Sequence, residues 1–321
     1  MPGFEHFIKQ NQSAINLALE QAVSILPDSV REVAAYALLS GGKRLRPILN
    51  LICGRLLAPH KNDEYPLGAV LEMIHVASLL HDDVLDGAQT RRGKTSAHLK
   101  YGISPCLLAG DALMAQASRM VAGYGNTEMV DCLADAMLKT VAGEAQEIVL
   151  CGSLTHGQDV YLEIIIAKTA WMFRASCRLA ALYAGADKLA VNAISDYGLN
   201  LGIAFQMVDD ALDFADEAVT GKPTGGDLRE GKNTPPISLY YNTLAKTEQA
   251  EFAKKFASGA FSEMEVESIS KKIRAQGYDA QTRELANSYL RQAKESLAAF
   301  TDCPEKEMLL HALDFVRERK A

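Results

Sequence analysis

Asp82, Asp83 and Asp86 close an apolar helical run at positions i, i+1 and i+4, and Asp209, Asp210 and Asp213 repeat that spacing after Ile203-Ala204-Phe205-Gln206-Met207-Val208. On an α-helix the first and last of each set stack one turn apart, so like charges crowd together and something must compensate. One acid cluster is ordinarily a solvated helix end; two with the same spacing, each ending a hydrophobic stretch, argue for a shared task. Hard carboxylate oxygens grouped in this way suit Mg²⁺, which keeps several waters and binds through a few carboxylates plus the phosphate oxygens of a substrate. Zinc is disfavoured because no Cys/His set has ligand spacing, and an EF-hand is excluded because Val84 stands where an oxygen ligand is required.

A Mg²⁺-diphosphate partner calls for cations as well, and the chain supplies them in three places. Gly41-Gly42-Lys43-Arg44-Leu45-Arg46-Pro47 puts basic side chains in a turn that leads into a helix N-terminus, where backbone N–H groups also favour an anion. Arg91-Arg92-Gly93 follows the first acid motif, and Lys222 and Lys232 flank Gly225-Gly226-Asp227 beyond the second. Alone, each basic pair reads as solvated surface. Beside both acid motifs they read as parts of an anion site.

The elements that must position these groups are helical nearly throughout. The pattern predicts helices over 5–26, 29–39, 47–57, 66–86, 104–123, 127–150, 156–184 and 188–214, with further helices after a loop at 220–233. Pro47 and Pro105 read as first-turn prolines, the second with Ser104 as its helix cap, and Thr155 with Gln158, Ser262 with Glu265 and Asp302 with Glu305 as capping boxes. No linker divides the chain, so one all-α domain over 1–321 is expected.

A net charge of -7 and a pI near 5.6 argue against a nucleic-acid surface. No apolar stretch approaches the roughly 18 to 20 residues needed to cross a bilayer. The first residues lack the basic flank and apolar core of an export signal, so a cytoplasmic protein is expected. Six scattered cysteines without a C-x-x-C pair fit reduced core residues.

The motifs in order, Gly-Gly-Lys-Arg-Leu-Arg-Pro, then His75 through His-Asp-Asp-Val-Leu-Asp-x4-Arg-Arg-Gly, Lys168-Thr169-Ala170, Phe-Gln-Met-Val-Asp-Asp-x-x-Asp and Gly-Gly-Asp-Leu-Arg-Glu-Gly-Lys, resemble a trans-isoprenyl diphosphate synthase over residues 40 to 236. The resemblance implies a helical bundle of the isoprenoid synthase type around a deep central cavity, with the two aspartate motifs facing each other across its mouth. It implies Asp82, Asp86 and Asp209 as the main Mg²⁺ ligands, with Asp83, Asp210 and Asp213 helping directly or through water, and three Mg²⁺ per active site. Arg91, Lys168, Gln206, Lys222 and Lys232 would hold an allylic diphosphate, and Thr169 would belong to the substrate site. Lys43, Arg46, His75 and Arg92 would hold isopentenyl diphosphate. A homodimer is implied too, as is a lipid-like product that would need delivery to a membrane. Pro235-Pro236 departs from the family's leucine before a single proline.

The chemistry implied is ionisation of the allylic C–O bond, attack of the isopentenyl alkene on the cation, and loss of a proton. Product length follows from the wall below Asp82. Stepping back along the helix come Ser78 and Ala77, then Ile74, and each turn of roughly 5 Å admits about one isoprene increment. Short-chain members of the family carry a bulky aromatic four or five positions before the first aspartate, where Ala77 and Ser78 are small. A product of about C40, between about C30 and C50, is therefore expected, with Ile74, Met73, Met120 and Met137 as candidates for the floor. A shorter-chain synthase, a terpene cyclase, a noncatalytic subunit and the catalytic half of a heteromer are the rival readings.

Overall fold

In the computed structural model, residues 2–58, 64–216 and 223–319 are described. Contacts group them into a first unit (Met1–Met137, Met172–Ser195, Ala299–His311) and a second (Leu138–Trp171, Asp196–Ala298, Ala312–Ala321). Helices carry both. They are α1 (Pro2–Ser24), α2 (Asp28–Leu38), α3 (Leu45–Leu57), α4 (Glu64–Leu85), α5 (Ala97–Tyr101), α6 (Ile103–Ala122), α7 (Thr127–Leu150) and α8 (Gln158–Ile165). A π-helical turn (Ile166–Ala170) leads to α9 (Trp171–Ala184) and α10 (Lys188–Leu212). After these come α11 (Gly226–Glu230), α12 (Pro235–Thr243), α13 (Lys246–Ser258), α14 (Glu263–Ala275), α15 (Tyr278–Ser296) and α16 (Pro304–Arg317). Among the described residues, no helix is long and apolar enough to cross a membrane.

The first unit is built around α4, whose apolar residues Leu67, Val70, Leu71, Ile74, Ala77 and Leu80 are buried and which packs on α1, α2, α3 and α6. A buried ion pair fixes the turn before α3. Arg44 adopts a left-handed backbone (φ 52°) and sends Nη1 to Glu72 Oε1 of α4 at 2.6 Å and Nη2 to the Leu38 carbonyl at the end of α2 at 2.7 Å. That second bond satisfies one of the carbonyls a helix end leaves open.

The second unit has its own aromatic core. Phe214, Leu228, Ile237, Tyr240, Phe252 and Phe256 pack with Val266, Ile269 and Ile273, and the Phe252 ring touches Tyr240, Tyr241, Phe256 and Phe261. Gly143 of α7 supports the π turn, because a Cβ there would lie 2.6 Å from the Lys168 backbone nitrogen and 2.9 Å from Ala167 Cβ.

Several local expectations change. The helix expected to run unbroken over 156–184 widens into the π turn, which opposes Gly143. A two-residue antiparallel hairpin, β1 (Thr90–Arg91) and β2 (Lys94–Thr95), forms where only a polar connection is expected. Arg92 and Gly93 both take positive φ, as a tight two-residue connection requires. The Ser262–Glu265 capping box forms in both directions, at 2.9 and 3.3 Å. The one at Thr155 does not, since Gly157 precedes the helix and Thr155 Oγ1 bonds Ser153 Oγ. Nor is there one at Asp302, which accepts from Lys306 Nζ at 2.8 Å while α16 starts at Pro304. Gly102 (φ 92°) lets the chain turn straight into α6 at Ile103, so Ser104 is not its cap. The Pro235-Pro236 departure is absorbed at the first two positions of α12, where prolines forfeit no helical hydrogen bond.

Two consequences are measurable. Glu72→Gln would leave Arg44 charged and unpaired in the interior and lower unfolding free energy by about 3 kcal/mol, read from urea titration; an unmoved midpoint would rule out the pair as a stabilising anchor. Gly143→Ala should cost about 1–3 kcal/mol by overpacking against the Lys168 backbone, and a variant as stable as the native chain would show that the close approach is not needed.

Candidate functional site

The first acid motif sits at the end of α4, where the Asp86 amide still bonds the Asp82 carbonyl at 2.8 Å. Its three carboxylates do not share one environment. Asp86 is exposed, Asp82 half-buried and Asp83 buried. Asp83 Oδ1 accepts from both Nε (2.8 Å) and Nη2 (2.5 Å) of Arg91, which the hairpin carries back toward α4. Helical phase accounts for the difference, since adjacent residues point about 100° apart.

On the preceding turns of the same unit, guanidiniums gather around Glu72. Arg44 pairs with it directly, and Arg92 Nη2 lies 3.8 Å from Glu72 Oε1 while Nη1 donates to the Gly41 carbonyl. Gly42 (φ 124°) admits this arrangement, because a Cβ there would come within 2.8 Å of Arg92 Cζ. Arg46 stacks 4.7 Å over the Phe173 ring, and its buried Nε has no hydrogen-bond partner among the described residues. Burial, offset in part by Glu72, brings Arg46 down to about 10. Burial first, and then the charges of Arg46, Arg92, Arg91 and Arg44, push the His75 imidazole well below its ordinary value, so it is neutral at physiological pH. Lys43 is exposed on the same turn. Arg44, Arg46 and Arg92 therefore stand against the single carboxylate of Glu72, a surplus of positive charge that suits an anion.

In the second unit, Asp209 alone of its motif is widely exposed, at 47% of its side chain, and Arg319 Nη2 lies 3.0 Å from its Oδ1. Asp210 is buried and accepts from Tyr161 Oη (2.5 Å) and Gln206 Nε2 (2.8 Å). Burial pushes its carboxyl up to about 7 against those two bonds, with Asp209 adding to the rise. Asp213 receives the amides of Gly226 and Asp227, each at 3.0 Å, and so caps α11. In this structure Asp83 faces Arg91, Asp210 faces Tyr161 and Gln206, and Asp213 faces the α11 amides.

Lys168 lies in the π turn between Glu144 and Glu147, its Nζ 2.5 Å from each. Lys232 reaches Glu230 at 2.6 Å and the same Glu147 at 3.7 Å. Burial would lower the Lys168 ammonium, but Glu147 and Glu144 outweigh it and raise it. Thr169 Oγ1 donates to Gln206 Oε1 at 2.9 Å instead of bonding back to its own helix. Lys222 lies outside the described residues.

Among the described residues, no three carboxylate, imidazole or thiol groups converge as a preformed metal cage. The donor chemistry nonetheless fits Mg²⁺. Asp82, Asp86 and Asp209 are more exposed than their neighbours Asp83 and Asp210 and offer hard oxygens, and this ion completes its octahedron with water and substrate phosphate. Burial first, with repulsion from neighbouring carboxylates, raises the carboxyls of Asp210, Asp213 and Asp227.

Sequence reading missed Glu72, Glu144, Glu147, Tyr161 and Arg319. Glu144 and Glu147, at i and i+3 on one helix, carried a signal. Tyr161 and Arg319 carried none, since each meets its partner from far along the chain.

The profile of the polyprenyl synthetase family matches residues 27–273. The chain is 30% identical over 320 residues to a geranylgeranyl diphosphate synthase of Methanosarcina mazei, covering 98% of this chain and 97% of the relative. To an octaprenyl diphosphate synthase of Escherichia coli it is 29% identical, covering 94% and 93%. A solved polyprenyl synthase from Caulobacter crescentus, complexed with calcium and isoprenyl diphosphate, superposes with a TM-score of 0.93 at 34% identity, covering 99% of this chain and 97% of that one. With the fold and the matched span in agreement, this chain belongs to the polyprenyl synthetase family and is a prenyltransferase.

Proposed function

We propose that the chain condenses an allylic diphosphate with successive isopentenyl diphosphate units to give a long all-trans polyprenyl diphosphate of about C40, working as one domain over 1–321. The observation that carries this reading is the surplus of guanidinium charge around Glu72. A terpene cyclase handles one diphosphate, and a second cationic group in a different part of the chain would have no work there.

In this reading Arg46, Arg92 and Lys43 bind isopentenyl diphosphate, and neutral His75 donates one N–H to it. Lys168 and Lys232, with Thr169, Gln206 and Arg91, orient the allylic diphosphate, and Lys222 is assigned with them. Bound Mg²⁺ supplies Lewis-acid stabilisation of the departing diphosphate, held by Asp82, Asp86 and Asp209. Asp83 positions Arg91, Asp210 positions Gln206, and Asp213 fixes the segment that leads to Lys232. The ammoniums and guanidiniums spread the charge that develops as the C–O bond opens. The isopentenyl alkene then attacks the allylic cation, and a proton leaves to the diphosphate released. No side-chain nucleophile is needed.

Product length rests on α4. Ala77 is fully buried and small, Ser78 bends its hydroxyl back to the His75 carbonyl at 2.8 Å, and Ile74 and Met73 are buried below. The curated relatives carry both long-chain and geranylgeranyl names, so these side chains support the longer product. We assign the protein to the cytoplasm, where its six free thiols suit a reducing compartment. A homodimer is supported by Leu138, Val141, Ile148 and Val149 of α7, exposed apolar residues on one helical face.

Purified alone and given farnesyl diphosphate, labelled isopentenyl diphosphate and Mg²⁺, the chain should form long-chain product; turnover that requires an added partner would instead identify half of a heteromer. Ala77→Tyr should shorten the product toward about C15 to C20, and an unchanged chromatogram would remove this wall from the argument over length. Asp209→Ala should lower kcat by about a hundredfold or more with little loss of stability, whereas Asp213→Ala should chiefly destabilise α11. Near-normal turnover in Asp209→Ala would refute the metal assignment.

A further inference from the structure

We infer that Arg319 is a built-in counter-ion for Asp209 which the divalent cation must displace, so that cation binding and the seating of the segment after α16 oppose each other. The inference rests on the reading of Asp209 as a metal ligand and goes beyond it by assigning a competitor.

Contacts made by Arg283 and by Arg319 seat that segment. Arg283 of α15 directs Nη1 to the Arg317 carbonyl at 3.5 Å and Nη2 to the Arg319 carbonyl at 3.3 Å. These carbonyls lie at and beyond the end of α16, among the groups that a helix end leaves open. The Arg319 guanidinium lies 4.5 Å over the Phe205 ring and places Nη2 3.0 Å from Asp209 Oδ1, with only 14% of the side chain exposed. Phe205 and Asp209 are four residues apart on α10, so one planar cation covers the ring and the carboxylate on a single helical face.

Asp209 is the member of its motif not taken up by Tyr161, Gln206 or the α11 amides. A divalent ion at that carboxylate would meet a fixed positive charge at contact distance. Either the cation stays out or Arg319 leaves. Linkage makes the opposition reciprocal: the factor by which the seated arginine weakens the cation equals the factor by which the cation loosens the segment. For a half-exposed pair backed by a stacked ring, about three- to tenfold is expected.

Mn²⁺ with inorganic pyrophosphate, followed by electron paramagnetic resonance of the free ion, measures this on the full chain without turnover. In Arg319→Gln the Mn²⁺ half-saturation should fall about three- to tenfold. Arg283→Gln, which loosens the segment without touching Asp209, should shift it the same way by less. Hydrogen exchange across 313–319 should rise when Mn²⁺ and pyrophosphate are added to the native chain, and should already be high and unresponsive in Arg319→Gln. Equal Mn²⁺ affinity in the native and Arg319→Gln chains, or unaltered exchange on loading, would overturn the displacement. If Mn²⁺ binding depends on Asp209, tested with Asp209→Asn, but not on Arg319, the competitor alone fails. If Asp209→Asn also changes nothing, the metal assignment fails with it.

Discussion

The charge balance of the first unit turns on one buried carboxylate. Arginines resist burial because an unpaired guanidinium away from water is costly, and Glu72 is the anion that offsets the cost. Through it, Arg44 can close α2, turn the chain left-handed and open α3. Arg46 and Arg92 can then stand close by while only partly neutralised. The stability of the turn and its appetite for an anion have the same source. His75 is held neutral by its burial first and by those charges second, so it offers a hydrogen bond without adding to the repulsion.

The second unit solves the complementary problem. Lys168 and Lys232 are held by Glu144, Glu147 and Glu230, carboxylates that keep two ammoniums in place. A diphosphate taken up by these lysines would exchange one set of anionic partners for another. Positioning achieved beforehand costs less reorganisation during reaction.

Helices were the most legible part of the chain, because a 3.6-residue apolar period survives without knowledge of partners. Glycines and prolines marked most of the turns. What misled was competition at helix starts: Gly157 and Pro304 stand closer to the first turn than the expected caps at Thr155 and Asp302. The acid motifs were visible as clusters, yet spacing could not say that Asp83, Asp210 and Asp213 would turn inward. Their partners Arg91, Tyr161 and the α11 amides arrive through the fold. Glu72 was invisible for a similar reason, since a lone glutamate in an apolar helix announces no ring of arginines.

The π turn at Ile166–Ala170 adds a residue to a helix that would otherwise be regular. An α-helix advances about 100° per residue, so the extra one offsets the angular phase of everything beyond it. Tyr161 before the turn reaches Asp210, and Thr169 within it reaches Gln206 one turn earlier on α10. Excising a single residue there would restore ideal geometry and swing one of these side chains about a quarter of a revolution away from its mate. The irregularity is the coupling gear between two stretches of helix, and a smoother chain would mesh with only one of them.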